Sequence, residues 1–255
     1  MHLLSAGDLI DRSTEFYRRH FVLTLKIISW NIIIGLTAAL TETYLAWRFP
    51  NGSALSTILI ALASLASLLV SIATMSRLIS SVTAVVNNQP LPTWKSVFKN
   101  FLPIFAAVML SVLLIVLGLT VFIVPGIIFW IWFAFAPVIT ALGESNWRQS
   151  FGKSRLVSHG RFGMISWRLI APFGFFALLQ LVLLLVATLL IQGAGRGLWT
   201  IELIVEGAPL WLLLLANLAS ELVRDLLSPL FVFALTILYL AAKEETNPVE
   251  PKPGV

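Results

Sequence analysis

The sequence has no cysteine and few charged residues. None of its 255 residues is Cys, and Asp, Glu, Lys and Arg together make up 11% of the chain. The lack of cysteine excludes disulfides, thiolate metal ligands and a thiol nucleophile. Charged residues make up about 25% of an ordinary soluble domain. Their scarcity here therefore argues against a soluble protein.

Apolar residues fill most of the chain instead. They account for 58% of the sequence, and the mean hydropathy is +0.94. The hydrocarbon core of a bilayer is about 30 Å thick and a helix rises about 1.5 Å per residue, so one crossing needs about 20 apolar residues. Several stretches meet this length. We therefore expect an all-α, polytopic integral membrane protein.

The apolar stretches predict about six transmembrane helices, joined by polar or turn-forming segments. Residues 101–142 are almost wholly apolar and too long for one crossing, so Val124-Pro125-Gly126 is predicted to be a turn. The first five predicted spans cover residues 21–47, 54–75, 102–123, 127–143 and 165–191.

The C-terminal region is predicted to contain a break. Glu221, Arg224 and Asp225 interrupt an apolar stretch, so we expect an interfacial or partly inserted segment at 209–220 and a last span at 226–241. The whole six-helix membrane domain then covers residues 1–242. The polar, Pro-containing tail at 243–255 is expected to be disordered and cytoplasmic.

The positive charges predict the orientation. The net charge is +5, and with both termini inside, all Lys and Arg residues lie on the inner side except Arg48, Arg196 and Arg224. This fits the positive-inside rule and predicts a multi-pass protein of a bacterial or archaeal plasma membrane, N-in and C-in. Basic cytoplasmic loops explain the charge, so we expect no nucleic-acid partner.

One basic stretch, "LGESNWRQSFGKSRLVSHGRF" at 142–162, lies between two apolar walls. On a helix, Arg148, Arg155 and His159 fall on one narrow stripe, with Trp147 and Phe151 beside it. Such a helix can lie at the membrane interface, its aromatics among acyl chains and its cations at anionic headgroups. Alternatively, the stripe only fixes the topology, or it binds a cytoplasmic partner.

A short pattern recurs before the odd-numbered spans. "WKSVFK" at 94–99 and "WRQSFGK" at 147–153 both place a cation one residue and a Phe four residues after a Trp. The basic N-terminal segment occupies the same place before the first span. We therefore expect a cytoplasmic amphipathic helix before each odd-numbered span.

The charged cluster in the C-terminal region has two interpretations. Helical spacing places the acids Glu221 and Asp225 near the single base Arg224. The cluster either marks the outer water boundary of the last span, or it forms a polar pocket or ion path together with Glu42, since ionisable groups inside membranes usually face a cavity or a partner.

Catalytic and metal-binding chemistry finds little support. His2, His20 and His159 are far apart, and no nucleophile motif such as G-x-S-x-G is present. The glycine-rich "GAGRG" at 193–197 follows an apolar span and precedes no βαβ unit, so it is expected to be a flexible outer loop. We predict no catalytic residue, no metal and no cofactor.

Three stretches resemble a known family. They are "FIVPGIIFWIWFAFAPVITALGES", then "SFGKSRLVSHGRF" with Gly160-Arg161-Phe162, and "SPLFVFALTILYL" with Pro229 and Tyr239. They are similar to the membrane domain found with some bacterial glycerophosphoryl diester phosphodiesterases and to its YciC-like stand-alone relatives. The resemblance implies a six-helix membrane module without the soluble catalytic domain.

These observations favour a non-enzymatic membrane module. Its expected partners are anionic membrane lipids or other envelope proteins. The alternative is a small transporter or channel that uses the acidic residues of the outer leaflet. A water-accessible cavity lined by Glu42, Glu221 or Asp225 would favour that alternative.

Overall fold

The computed structural model describes residues 4–49, 52–159, 161–195 and 210–246. All regular secondary structure in these ranges is helical. Within them, six helical stretches are long and apolar enough to cross a membrane, and the fourth, Ile123–Ala141, consists of two consecutive helices. The prediction of an all-α, polytopic membrane protein is confirmed.

Three short helices precede the odd-numbered spans, as the recurring pattern predicted. These are the first, fourth and eighth of the helices in chain order, and they stand directly before the first, third and fifth spans. The helices are α1 (Ala6–Arg19), α2 (Phe21–Arg48), α3 (Ala54–Val86), α4 (Trp94–Lys99), α5 (Phe101–Val121), α6 (Ile123–Phe133), α7 (Ala136–Ala141), α8 (Trp147–Ser158), α9 (Phe162–Gly195) and α10 (Leu210–Thr246).

Helix α1 begins at a capping box. The Ser5 hydroxyl accepts a hydrogen bond from the Asp8 amide at 3.1 Å, and the Asp8 carboxylate accepts from the Ser5 amide at 3.0 Å. The hydrogen bonds from the Ser5 hydroxyl and amide lower the pKa of Asp8, so the cap persists into acidic solution and is lost as the pH falls further. The C-terminal turn of α1 packs Phe16 against Phe233 of α10, with ring centroids 4.9 Å apart.

The chain forms two compact units. Unit 1 comprises Met1–Thr24, Met75–Gly174 and Pro229–Val255, and unit 2 comprises Leu25–Thr74 and Phe175–Ser228. The boundary falls within α2, α3, α9 and α10. The core of unit 1 is centred on α7, in which every residue is buried.

The turn between the third and fourth spans is tighter than the sequence predicted. We expected it at Val124-Pro125-Gly126, but a single extended residue, Phe122, separates α5 from α6. Pro125 lies in the first turn of α6, where its missing N–H leaves no helical hydrogen bond unmade. A Cβ atom on Gly118 would lie 2.8 Å from the Cα of Gly126. The two glycines therefore allow the backbones of α5 and α6 to touch.

The predicted break in the C-terminal region is wrong. Helix α10 continues through Glu221, Arg224 and Asp225 without interruption, in place of an interfacial segment at 209–220 and a separate span at 226–241. The first residues of the predicted tail, 243–246, extend this helix, and 247–255 lie outside the described residues. In the predicted GAGRG loop, 193–195 end α9, and 196–197 also lie outside the described residues.

The cysteine-free chain allows the orientation to be tested with single cysteines. With both termini inside, Ser53→Cys between the first two spans should react with an impermeant maleimide from outside. Gly152→Cys, on an exposed position of α8 with open space around it, should react only after permeabilisation. Labelling of Gly152→Cys in intact cells would reverse the proposed orientation. Ser154→Cys, fully buried, is the control and should react only after denaturation.

The close approach of α5 and α6 predicts a specific sensitivity to added volume. Gly118→Ala should lower the free energy of unfolding by about 1–3 kcal/mol, because the new methyl group would overlap the backbone of Gly126. Gly174→Ala, where a Cβ meets nothing within 4 Å, is the matched control and should be neutral or mildly stabilising. Thermal unfolding in lipid particles measures both. Equal melting temperatures for Gly118→Ala and wild type would contradict the contact.

Candidate functional site

Helix α8 carries the stripe of cations predicted from the sequence, and a row of serines follows another side of the helix. Ser150, Ser154 and Ser158 recur every four residues and are fully buried. The Ser154 hydroxyl donates to the carbonyl of Trp132 at 2.6 Å, and the Ser158 hydroxyl donates to that of Ile131 at 3.5 Å. Small side chains and these two bonds hold α8 close against α6.

The cations of α8 are exposed beside this contact. Arg148, Arg155 and His159 are all exposed, so the structure brings the three predicted residues to one open face. The guanidinium of Arg148 lies 5.0 Å from the ring centroid of Trp147. That of Arg155 lies 4.6 Å from the ring of Trp132, which belongs to α6. Each such contact contributes about 0.5–1 kcal/mol at an exposed site and orients the cation.

The aromatic side chains of this stretch are packed against the protein, unlike the prediction. We expected Phe151 among the acyl chains, but it packs edge-on against Phe133 of α6, with ring centroids 5.2 Å apart. Trp147 is half-buried. The exposed apolar side chain on α8 is Leu156, which is 71% exposed. Leucine, rather than phenylalanine, therefore accompanies the cations on the open face.

Glu144 connects the segment before α8 with α8 and α10, which local sequence spacing did not predict. Its carboxylate accepts from the Tyr239 hydroxyl at 2.6 Å and from the Lys243 ammonium at 2.8 Å, both on α10. Its backbone carbonyl accepts from Lys153 of α8 at 2.7 Å. The available signal was that Glu144 is the lone acid in a basic stretch. The network fixes the start of α8 relative to the end of α10.

The short helix α4 is also held to a spanning helix by a cation–π contact. The guanidinium of Arg77, on α3, lies 4.2 Å from the ring centroid of Trp94, the first residue of α4. The arrangement parallels the contact of Arg155 with Trp132, since in both cases a cation–π contact joins a short helix to a spanning helix. Unit 1 thus positions α4 and α8 through paired arginine and tryptophan side chains.

The second candidate site belongs to unit 2 and lies between α2 and α10. Asp225 is 2% exposed, and its Oδ1 atom accepts from the amide Nδ2 of Asn31 at 2.7 Å. Arg224 forms an ion pair with Glu221, and its Nε atom lies 3.8 Å from Asp225 Oδ1. The structure therefore brings the three predicted residues together and adds Asn31. Asp225 faces α2 rather than water.

Glu42, the fourth predicted member of this cluster, has a separate hydrogen-bond partner. Its carboxylate accepts from the Ser64 hydroxyl of α3 at 2.8 Å. The neighbouring Thr43 accepts from the Asn217 amide of α10 at 2.7 Å. Asn31 precedes Thr43 along α2, whereas their partners on α10 come in the opposite order, Asn217 before Asp225. Helices α2 and α10 therefore run antiparallel within unit 2.

A glycine leaves room for the two acids. A Cβ atom at Gly35 would lie 3.2 Å from Asp225 Oδ2 and 3.5 Å from Glu221 Oε2. Both carboxylates therefore flank the same backbone position of α2. A larger residue here would crowd them, so the glycine keeps the space beside the acids open.

Comparisons of this chain with protein-family models, with curated proteins and with solved structures found no match. The resemblance to the membrane domain found with glycerophosphoryl diester phosphodiesterases stays a prediction. The proposed function therefore rests on the two sites themselves.

Proposed function

We propose that this protein is a non-enzymatic, multi-pass membrane module in which helix α8 binds anionic lipid headgroups. One observation carries the proposal. The serine side of α8 is bonded to α6, so Arg148, Arg155 and His159 are presented together on the open side. A phosphate-bearing headgroup is the natural partner for such a face, because arginine can donate two parallel hydrogen bonds to phosphate oxygens.

The charge of unit 1 supports the same partner. Its described cations outnumber its described acids, which are Asp8, Asp11, Glu15, Glu144, Glu244 and Glu245. The cations are Arg12, Arg18, Arg19, Arg77, Lys95, Lys99, Arg148, Lys153, Arg155, Arg161, Arg168 and Lys243. In the described part of unit 2, Lys26, Arg48 and Arg224 are balanced by Glu42, Glu221 and Asp225. The attraction for anionic lipid therefore belongs to unit 1.

The surroundings of α8 fit the interface of a bilayer. Leu156 is exposed beside the cations, and exposed Phe98 and Trp167 belong to the same unit. Apolar side chains that enter the acyl region and cations that remain at the headgroups are the two components of interfacial binding. Glu144 does not cancel the cationic stripe, because its carboxylate is occupied by Tyr239 and Lys243.

The proposal includes a place in the cell. The positive-inside rule assigns the cations of unit 1 to the cytoplasmic leaflet of a bacterial or archaeal plasma membrane, with both termini inside. That leaflet carries a negative surface potential, which attracts basic segments by about 1 kcal/mol per cation. Headgroup binding at α8 would also hold a fixed cytoplasmic surface to which other envelope proteins can bind.

The double variant Arg148→Gln/Arg155→Gln tests the proposal. Glutamine keeps the helix propensity, so the change removes two charges with little effect on folding. We expect a loss of about 2 kcal/mol of headgroup attraction and less anionic lipid, measured by mass spectrometry of lipids that copurify in native-lipid particles. The advantage of the wild type should shrink as salt rises, since exposed charges are screened over about 10 Å at 0.1 M.

A matched control removes the same charge from unit 2. Lys26→Gln/Arg48→Gln should retain anionic lipid as the wild type does, because neither cation belongs to the α8 face. Equal retention by the α8 variant and the wild type at low salt would refute headgroup binding. An equal loss in both double variants would show a response to net charge alone and would also refute a site on α8.

A further inference from the structure

The contact between α2 and α10 leaves buried hydrogen-bond acceptors without a partner. Asn31 Oδ1 and Asp225 Oδ2 are buried and have no hydrogen-bond partner among the described residues. Asn31 is 8% exposed and Asp225 is 2% exposed. Buried polar atoms without partners are rare, and each leaves about 1–3 kcal/mol of desolvation uncompensated. Two such acceptors on facing residues therefore indicate a missing donor.

The charges at this contact also do not balance. Arg224 forms an ion pair with Glu221, and its Nε atom lies 3.8 Å from Asp225 Oδ1, so a single cation faces two carboxylates. Elsewhere in unit 2, α2 carries Lys26, Glu42 and Arg48, and Glu42 is bonded to Ser64. The unit 2 parts of α3 and α9, residues 54–74 and 175–195, have no ionisable side chain. The described residues of this contact thus hold one negative charge too many.

Both partners lie well inside their spans. Asp225 comes fifteen residues after the start of α10, about 22 Å along its axis, and Asn31 comes ten residues after the start of α2, about 15 Å along. A buried carboxylate that shares its only cation with a second acid is destabilised there, and protonation removes the uncompensated charge. Ionisable residues within spans usually face an ion or proton pathway.

One added proton gives the partnerless acceptors a hydrogen bond and removes the excess negative charge. The Asn31 amide already donates to Asp225 Oδ1 at 2.7 Å. A proton on Asp225 Oδ2 can be donated in return to Asn31 Oδ1, closing a cyclic pair between a carboxylic acid and an amide. Two acceptors gain a partner, and the excess charge disappears. Hard divalent cations take about six or more oxygen ligands, more than the two open oxygens found here.

We propose that Asp225 is a proton-binding site inside the membrane, neutral when paired with Asn31 and able to take up and release one proton there. Gly35 places no side chain beside Asp225 Oδ2. Such a site is the chemistry required for proton-coupled movement of a solute or of the helices themselves. It is independent of headgroup binding at α8, since the two sites belong to different units.

Infrared difference spectroscopy of the protein in lipid nanodiscs tests this directly. At neutral pH exposed carboxyl groups are ionised, so the C=O stretching band of a protonated carboxylic acid reports a buried one. We expect such a band in the wild type, shifted in D2O and lost at alkaline pH. It should be absent from Asp225→Asn and retained in the matched control Glu221→Gln. A wild type without the band, or a band that persists in Asp225→Asn, overturns the proposal.

Thermal unfolding provides a second measurement. Because the folded protein holds a proton that the unfolded chain releases, wild-type stability should fall as the pH rises above about 4, where a carboxyl group of the unfolded chain ionises. Asp225→Asn imitates the protonated group and should lose this dependence. If Asp225→Asn fails to fold, the wild-type spectrum in sodium and in choline salts decides. A band that is the same in both salts supports a proton site, whereas a band displaced by sodium indicates a metal-cation site and contradicts it.

Discussion

The hydrocarbon core of a bilayer offers no hydrogen-bond partner, so every polar group within a span must find one in the protein. In unit 2 this constraint selects which helices meet. Asn31 bonds Asp225, Thr43 bonds Asn217, and Glu42 bonds Ser64. Apolar side chains alone give little preference between helices in lipid. These polar pairs therefore fix the antiparallel pairing of α2 with α10 and the contact of α2 with α3.

Unit 1 is organised by a different balance. Its cations are held in place by aromatic rings and by one carboxylate, through Arg77 with Trp94, Arg155 with Trp132, and Glu144 with Lys243. These contacts place short helices beside the spans and leave their basic sides exposed. The two units thus handle charge in different ways, because the described acids of unit 2 are paired with side chains, Asp225 being buried, whereas unit 1 displays its cations.

The sequence predicted the spans well and the contacts poorly, for a physical reason. Whether a stretch can form a span depends on local composition, which is visible in the chain. The partner of Asp225 lies 194 residues away and that of Glu144 lies 95 residues away, so neither could be found from local spacing. Without Asn31, the charges at 221–225 looked incompatible with a continuous span, which is why a break in α10 was predicted. The tight turn at Phe122 was missed because it depends on contact between Gly118 and Gly126.

The pairing of Asn31 with Asp225 holds α2 against α10, and a double-mutant cycle measures its strength. Asn31→Ala, Asp225→Ala and the double variant would be unfolded in lipid particles, and their free energies of unfolding compared with that of the wild type. We expect a coupling energy of about 1 kcal/mol or more, because removing one partner leaves the other buried without a hydrogen bond. Additive effects of the two substitutions would contradict it.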